Sequence, residues 1–340
     1  MKSIKQLKTV KGKIALVRVD FNVPIRGGKI LDFFRIKKAF PTIDFLLKKG
    51  AKVVLISHLG KESGTTLEPV MKYVSRFYKK DQVALLENLR LQDGEEKNDQ
   101  AYARDLASLA DFFINDAFPV CHRRHASIVS VPKYLPSYAG LQLEAEMKSL
   151  SLAFKKPTHP FLFILGGAKF ETKIPLIKKY LKIADHVFIG GALMNNFFHE
   201  LGVDVGDSLI DKKNFGLKNI AKNKKIVLPI DVVVDNKSFV DIGVASVEVL
   251  STLIQKSRFV LMNGPMGNYE KGFGQATEKI LKVLANSKAK VVLGGGDTVA
   301  LVSKLKLENK FFFVSTGGGA TLEYLAHGTL PGIEALEKSK

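Results

Sequence analysis

The chain has 340 residues, 46% of them hydrophobic, and 52 Lys and Arg against 33 Asp and Glu give a formal net charge of +19. That length and apolar content exclude a largely disordered chain and allow two domains with separate cores. The lysines are scattered through segments such as KKYLKIADH and IAKNKKIV and no nucleic-acid-binding signature accompanies them, so dedicated nucleic-acid binding is not expected.

The N-terminus MKSIKQLKTVKGKIALVRVDF is basic and then apolar, but Arg18 and Asp20 interrupt the apolar run. Neither a signal peptide nor a membrane span is expected there or elsewhere. Candidate strands follow in KIALVRVDFNVP, AKVVLISHLG, QVALLENLR and ADFFINDAF, the last of the first half. Between them, IKKAFPTIDFLLKKG and QAYARDLASLA have helical period, the first stopping at Gly50. CHRRHAS then carries the single cysteine, Cys121, which excludes an intrachain disulfide and fits a reducing, cytoplasmic setting. LEAEMKSLSLAFKKPTHP is a helix running into a proline-broken segment, and the domain boundary is set there.

Beyond it the order apolar run, glycines, helical period recurs four times, in FLFILGGAKFETKI, HVFIGGALMNNFF, VVLGGGDTVALV and FFFVSTGGGATLEYL. Strands alternating with helices imply parallel sheets with right-handed crossovers, whose ligands sit beyond the carboxyl ends of the strands. None of the four glycine runs fits G-x-G-x-x-G or G-x-x-x-x-G-K-[ST], which argues against a nicotinamide dehydrogenase and a P-loop enzyme. What remains is an anion site lined by backbone amides at helix N-termini, with Lys169, Lys173 and Asp297 close in sequence. The first half instead puts Asp20, Asn22, His58, Arg90, Asn115 and Asp116 at strand ends, with Arg35 opening a helix. Arginine forks suit a small, highly anionic substrate. The pattern is that of an α/β protein with two doubly wound, Rossmann-like parallel-sheet domains joined by a helix and hinge, one domain for a nucleotide and one for an anionic acceptor.

The blocks RVDFNVP, SHLG, LLENLR, NDAF followed by CHRRHAS, GGAK, NGPMG, GGGDT and STGGGATLE occur in the order seen in phosphoglycerate kinases, and the chain resembles that family from about Lys13 to Leu336. The resemblance implies a phosphoglycerate-binding domain over residues 1–153 and a nucleotide-binding domain over 154–326. It also implies a tail, 327–340, returning to the first domain. The implied reaction is reversible transfer of phosphate from 1,3-bisphosphoglycerate to Mg-ADP by a monomer that closes about its hinge. Asp20, Asn22, Arg35, His58, Lys61, Arg90 and Arg123 match the holders of phosphoglycerate. Lys169 and Lys173 match phosphate-contacting lysines, Asp297 the carboxylate for Mg²⁺ carried by the nucleotide, and Glu270 a ribose ligand. Gly167, Gly190, Gly191, Gly243 and Pro265 resemble an adenine slot, with Asn263 near the phosphates and Gly295, Gly296 and Thr298 as further nucleotide-binding positions. Gly317, Gly318 and Gly319 match glycines whose amides face the migrating phosphoryl group, and Arg35 and Lys169 are its implied cations.

The chain departs from the family pattern in several places. Lys61 and Glu62 stand where Arg-Pro is usual, and Pro119, Val120 and Cys121 where Gly-Thr-Ala is usual. Met262 replaces a Trp, Val244 a Pro and Ala276 a Gly, and the segments Gly64 to Leu85 and Asp231 to Asp241 are short. A competing reading, a non-catalytic basic scaffold of the same fold binding nucleic acid or protein, predicts losses at Arg35, Lys169, Asp297 or the Gly317 run. All are present.

Overall fold

The structure, a computed structural model, describes residues 1–60, 65–213 and 215–339, and separates into two units, Met1–Lys148 with Thr329–Lys340, and Ser149–Gly328. In the first unit β1 (Ile14–Arg18) leads through a hairpin of β2 (Ile25–Arg26) and β3 (Lys29–Ile30) to α1 (Phe34–Lys48). Then come β4 (Lys52–Ile56), α2 (Glu68–Val74), β5 (Val83–Leu85), α3 (Asp93–Glu96), α4 (Gln100–Ser108), β6 (Phe112–Asn115), β7 (Ser137–Ala139) and α5 (Leu141–Lys155), whose last residues belong to the second unit. The parallel strands lie in the order β5-β4-β1-β6-β7, so the chain builds outward on one side of β1 and then returns to its other side. The carboxyl ends of β1 and β6 therefore flank a topological switch point, where doubly wound sheets bind ligands.

Helix α1 buries Ile36, Ala39, Ile43 and Leu46, spaced three or four apart, against this sheet. Each large aliphatic removed from water contributes about 1.5–3 kcal/mol. Gly50 ends the helix with φ 84°, a left-handed conformation that a side chain would disfavour. One expectation fails here: β6 is not the last strand. SYA of β7 is too short to show a period, yet it pairs in register with Phe113, Ile114 and Asn115.

The second unit holds β8 (Phe161–Leu165), α6 (Phe170–Ile183), β9 (His186–Ile189), α7 (Ala192–Glu200), α8 (Leu217–Ala221) and β10 (Ile226–Val227). An antiparallel pair, β11 (Val232–Asp235) and β12 (Ser238–Ile242), precedes α9 (Val244–Lys256), β13 (Phe259–Asn263) and α10 (Gln275–Ala285). The chain continues with β14 (Lys290–Gly294), α11 (Gly296–Lys304), β15 (Phe313–Val314) and α12 (Gly319–His327). Its sheet order, β10-β9-β8-β13-β14-β15, is again doubly wound, with the switch point between β8 and β13. Every residue of β8 and β13 is buried, as continuous apolar strands covered on both faces require. The last helix, α13 (Pro331–Glu337), belongs to the first unit, where Gly332 N donates to Cys121 O at 2.8 Å. No helix among the described residues is long and apolar enough to cross a membrane.

Candidate functional site

In the first unit the loops leaving β1, β4, β5 and β6 bring cations together. Arg35, in the first turn of α1, donates from Nη1 to Asp20 Oδ2 at 2.7 Å and to Asn22 O at 3.2 Å. Asn22 in turn accepts on Oδ1 from Gly60 N at 3.1 Å, which ties the β1 loop to the β4 loop. Arg90, in the loop after β5, donates from Nη1 to Gly60 O, while its Nη2 is buried without a partner. Glu96 Oε1 lies 3.0 Å from Arg90 Nε, at ion-pair distance but out of line with the N–H, so this nitrogen too lacks a hydrogen bond.

His58 is 3% exposed, and burial followed by the charges of Arg18, Arg90, Arg123 and Arg35 drives its pKa far below the usual histidine range. His122 falls to about 4, through burial and then Arg123. Neutral histidines among arginines leave a concentrated positive field with Asp20 as its close counter-ion, a good receptor for a polyanion. Asp20, Asn22, Arg35, His58, Arg90 and Arg123 thus converge as the sequence suggests. Lys61 lies outside the described residues.

Asn115 and Asp116 do not join them. Asn115 Oδ1 accepts from Ala117 N at 3.0 Å, and Asp116 Oδ1 accepts from Gln142 N and Leu143 N at 2.8 and 3.1 Å, capping α5. Arg18, which sequence reasoning passed over, is buried in the centre of the sheet and faces His58 at 3.2 Å. The only signal for it was a charge ending an apolar run.

In the second unit the strand-end loops lock to one another through their backbones. Gly166 N donates to Asn263 O, Gly167 N to Pro265 O and Gly191 N to Met266 O, at 2.8–2.9 Å. A Cβ on Gly191 would stand 2.2 Å from Gly167 N, so glycine here is demanded by loop packing. At Gly243 a side chain would strike Asp231, whose carboxylate caps α9 through Ala245 N and Ser246 N. Gly318 differs. It has φ 53°, and a methyl group on its Cα would meet no protein atom within 4 Å, which leaves space for something else.

Around this floor, Lys173 donates to Gly166 O, and its pKa drops to about 8 through burial and then Lys169, against the pull of Asp297. Lys169 and Asp297 are exposed, as is Glu270 in the turn Tyr269–Lys271. Asp297 is not a helix cap: the N-cap of α11 is Gly295, and Asp297 lies within the first turn. Asn263 and Thr298 are buried, and Asn263 Nδ2 and Thr298 Oγ1 lack partners. Gly317 N is already given to Ser315 Oγ at 3.1 Å, so α12 offers its open end from Gly318 onward.

The family model for phosphoglycerate kinase matches residues 4–81 and 75–328. The phosphoglycerate kinase of Dictyoglomus turgidum is 39% identical over 381 residues, 96% of each chain, and that of Borrelia garinii subsp. bavariensis is 37% identical over 99% of this chain and all of its own. The structure of phosphoglycerate kinase from Coxiella burnetii superposes with a TM-score of 0.86 at 32% identity, covering 99% of both chains. That from Pyrococcus horikoshii gives 0.87 at 28%. With relatives this similar end to end, and the same two doubly wound sheets, the chain belongs to the phosphoglycerate kinase family.

Proposed function

We propose that the chain transfers the acyl phosphate of 1,3-bisphosphoglycerate to Mg-ADP in one direct, reversible in-line step, giving 3-phosphoglycerate and ATP. The observation that carries this is the gathering of Arg35, His58, Arg90 and Arg123 beside Asp20 and Asn22, with Arg90 Nη2 buried and without a hydrogen bond. In this reading the first unit holds the phosphoglycerate and the second the nucleotide. An acyl phosphate is already activated and an ADP oxygen is already a nucleophile. Catalysis is then positioning plus charge stabilisation, with no general base.

Arg35 and Lys169 are the cations of the transfer, and the amides at Gly318 and Gly319 receive the equatorial oxygens. Lys173, Asn263 and Thr298 hold phosphates, Glu270 the ribose, and the loops of Gly167, Gly190, Gly191, Gly243 and Pro265 the base. Among the described residues no three His, Cys, Asp or Glu side chains gather as a metal set. A magnesium ion brought by the nucleotide needs only one or two protein carboxylates. Asp297, exposed in the first turn of α11, fits that need, and the ion when bound would neutralise phosphate charge. Direct transfer also calls for hinge closure, testable as a fall in radius of gyration with both ligands; that the chain works as a monomer is a separate part of the proposal, testable by sedimentation. The decisive experiment is a coupled assay of ATP-dependent phosphorylation of 3-phosphoglycerate. Saturable turnover on the order of 1 s⁻¹ or more is expected, and folded protein with no turnover above background refutes the proposal.

A further inference from the structure

Arg18 ends β1 in the middle of its sheet, opposite Ile56 and Asn115, and is 1% exposed. All three of its nitrogens are engaged. Nε donates to Ser127 Oγ at 3.0 Å, Nη1 to Val19 O at 2.5 Å, and Nη2 faces His58 Nδ1 at 3.2 Å. Behind Ser127 lies the wholly buried Glu95, which accepts from Ser127 Oγ at 2.6 Å and Ser127 N at 2.9 Å. Glu95 and Asp20 are the carboxylates that act most on the Arg18 charge. Such a charge is too costly to bury for packing alone, and its hydrogen bonds are spent on aiming one atom.

A guanidinium only donates, so the nitrogen facing it must accept. We infer that Arg18 is a positioning residue that locks His58 as the neutral tautomer with its proton on Nε2, presented to the acidic substrate as a fixed donor. The inference rests on the proposed role of His58 in holding phosphoglycerate. The groups facing His58 agree with the lock. Arg18, Arg35, Arg90 and Arg123 oppose its protonation, and the carboxylate near it, Asp20, has Oδ1 3.9 Å from Nδ1, beyond hydrogen-bond reach. The site thereby keeps a hydrogen bond to the anion that does not change with pH, beside arginines that carry the charge.

Nitrogen-15 NMR of the histidine-labelled full chain tests this without any substitution. His58 is expected to show protonated Nε2 and bare Nδ1, unchanged from pH 5.5 to 8.5, and to shift when 3-phosphoglycerate is added. A proton on Nδ1, or a titration in that range, overturns the lock. A locked ring that does not respond to 3-phosphoglycerate overturns the substrate role and with it the purpose assigned to Arg18. In Arg18→Met, which leaves the burial of His58 and the other three arginines in place, the ring is expected to stay neutral but to lose its fixed tautomer, with proton density appearing on Nδ1, and KM for 3-phosphoglycerate to rise about tenfold at pH 8, the loss of one aimed hydrogen bond. kcat should change little. Arg18→Lys, which keeps the charge but not the fork, should leave the tautomers mixed and KM raised. A variant whose His58 stays locked and whose KM is that of the parent refutes the inference.

Discussion

Lys173 is where burial of a charge costs the second unit stability. The residue is 5% exposed, its ammonium is hydrogen-bonded to Gly166 O and held against Gly167, and its pKa falls from the usual 10.5 to about 8, with burial the main cause and Lys169 the second. At about 1.4 kcal/mol per pH unit, that depression is a penalty of about 3 kcal/mol on the charged lysine in the folded state. Below pH 8 both folded and unfolded lysines are protonated and the penalty is fully present. Between about pH 8 and 10.5 the unfolded chain binds the extra proton, so stability rises with pH and the penalty disappears. Lys173→Met removes the penalty and also the bond to Gly166, worth about 1 kcal/mol. The variant should therefore be more stable than the parent by about 2 kcal/mol at pH 7. The difference should shrink through pH 9 and reverse near pH 10.5. Urea unfolding of both proteins, without nucleotide, across pH 7 to 10.5 reads this difference directly, and other titrations cancel between them. Turnover should meanwhile drop on the order of 100-fold. A variant less stable at pH 7, or a difference that is flat with pH, refutes the reasoning.

Arg35→Ala and Lys169→Ala should each lower kcat on the order of 100-fold or more, as expected for a preorganised charge aimed at the transferring group; near-parental kcat in steady-state assays counts against the assignment. Asp297→Asn should raise the magnesium concentration needed for half-maximal activity while leaving the melting temperature nearly unchanged, since Gly295 and not Asp297 occupies the cap. An unchanged magnesium titration would remove Asp297 from the metal site. Lys61→Arg should lower KM for 3-phosphoglycerate with little effect on kcat, because a bidentate fork replaces a hydrated point charge in ground-state binding. If Lys61→Arg and Lys61→Ala both match the parent at low salt, where surface electrostatics are strongest, Lys61 is not a ligand.

The alternation of apolar runs with helical periods is local information, and it sufficed for two doubly wound sheets and for the strand ends at which most of the cationic residues gather. RVDFNVP, SHLG and LLENLR already carried Asp20, Asn22, His58 and Arg90, because each block places its polar residues just past a buried strand, where doubly wound sheets bind ligands. Strands of two or three residues, such as β7 and β10, were beyond its reach, since pairing with neighbours far along the chain and not period makes them strands. The purposes of individual residues were also tertiary. Asp116 resembles Asp20 in the sequence, yet it caps a helix whose amides arrive from residues 142 and 143. Gly191 and Gly318 look equivalent as glycines before helices, yet one is pressed against backbone and the other faces open space. Arg18 had no role until the sheet placed it between His58 and Ser127, 40 and 109 residues away. Side-chain type and spacing determined which chemistry was present, and only the packing of distant segments decided which groups were left free to use it.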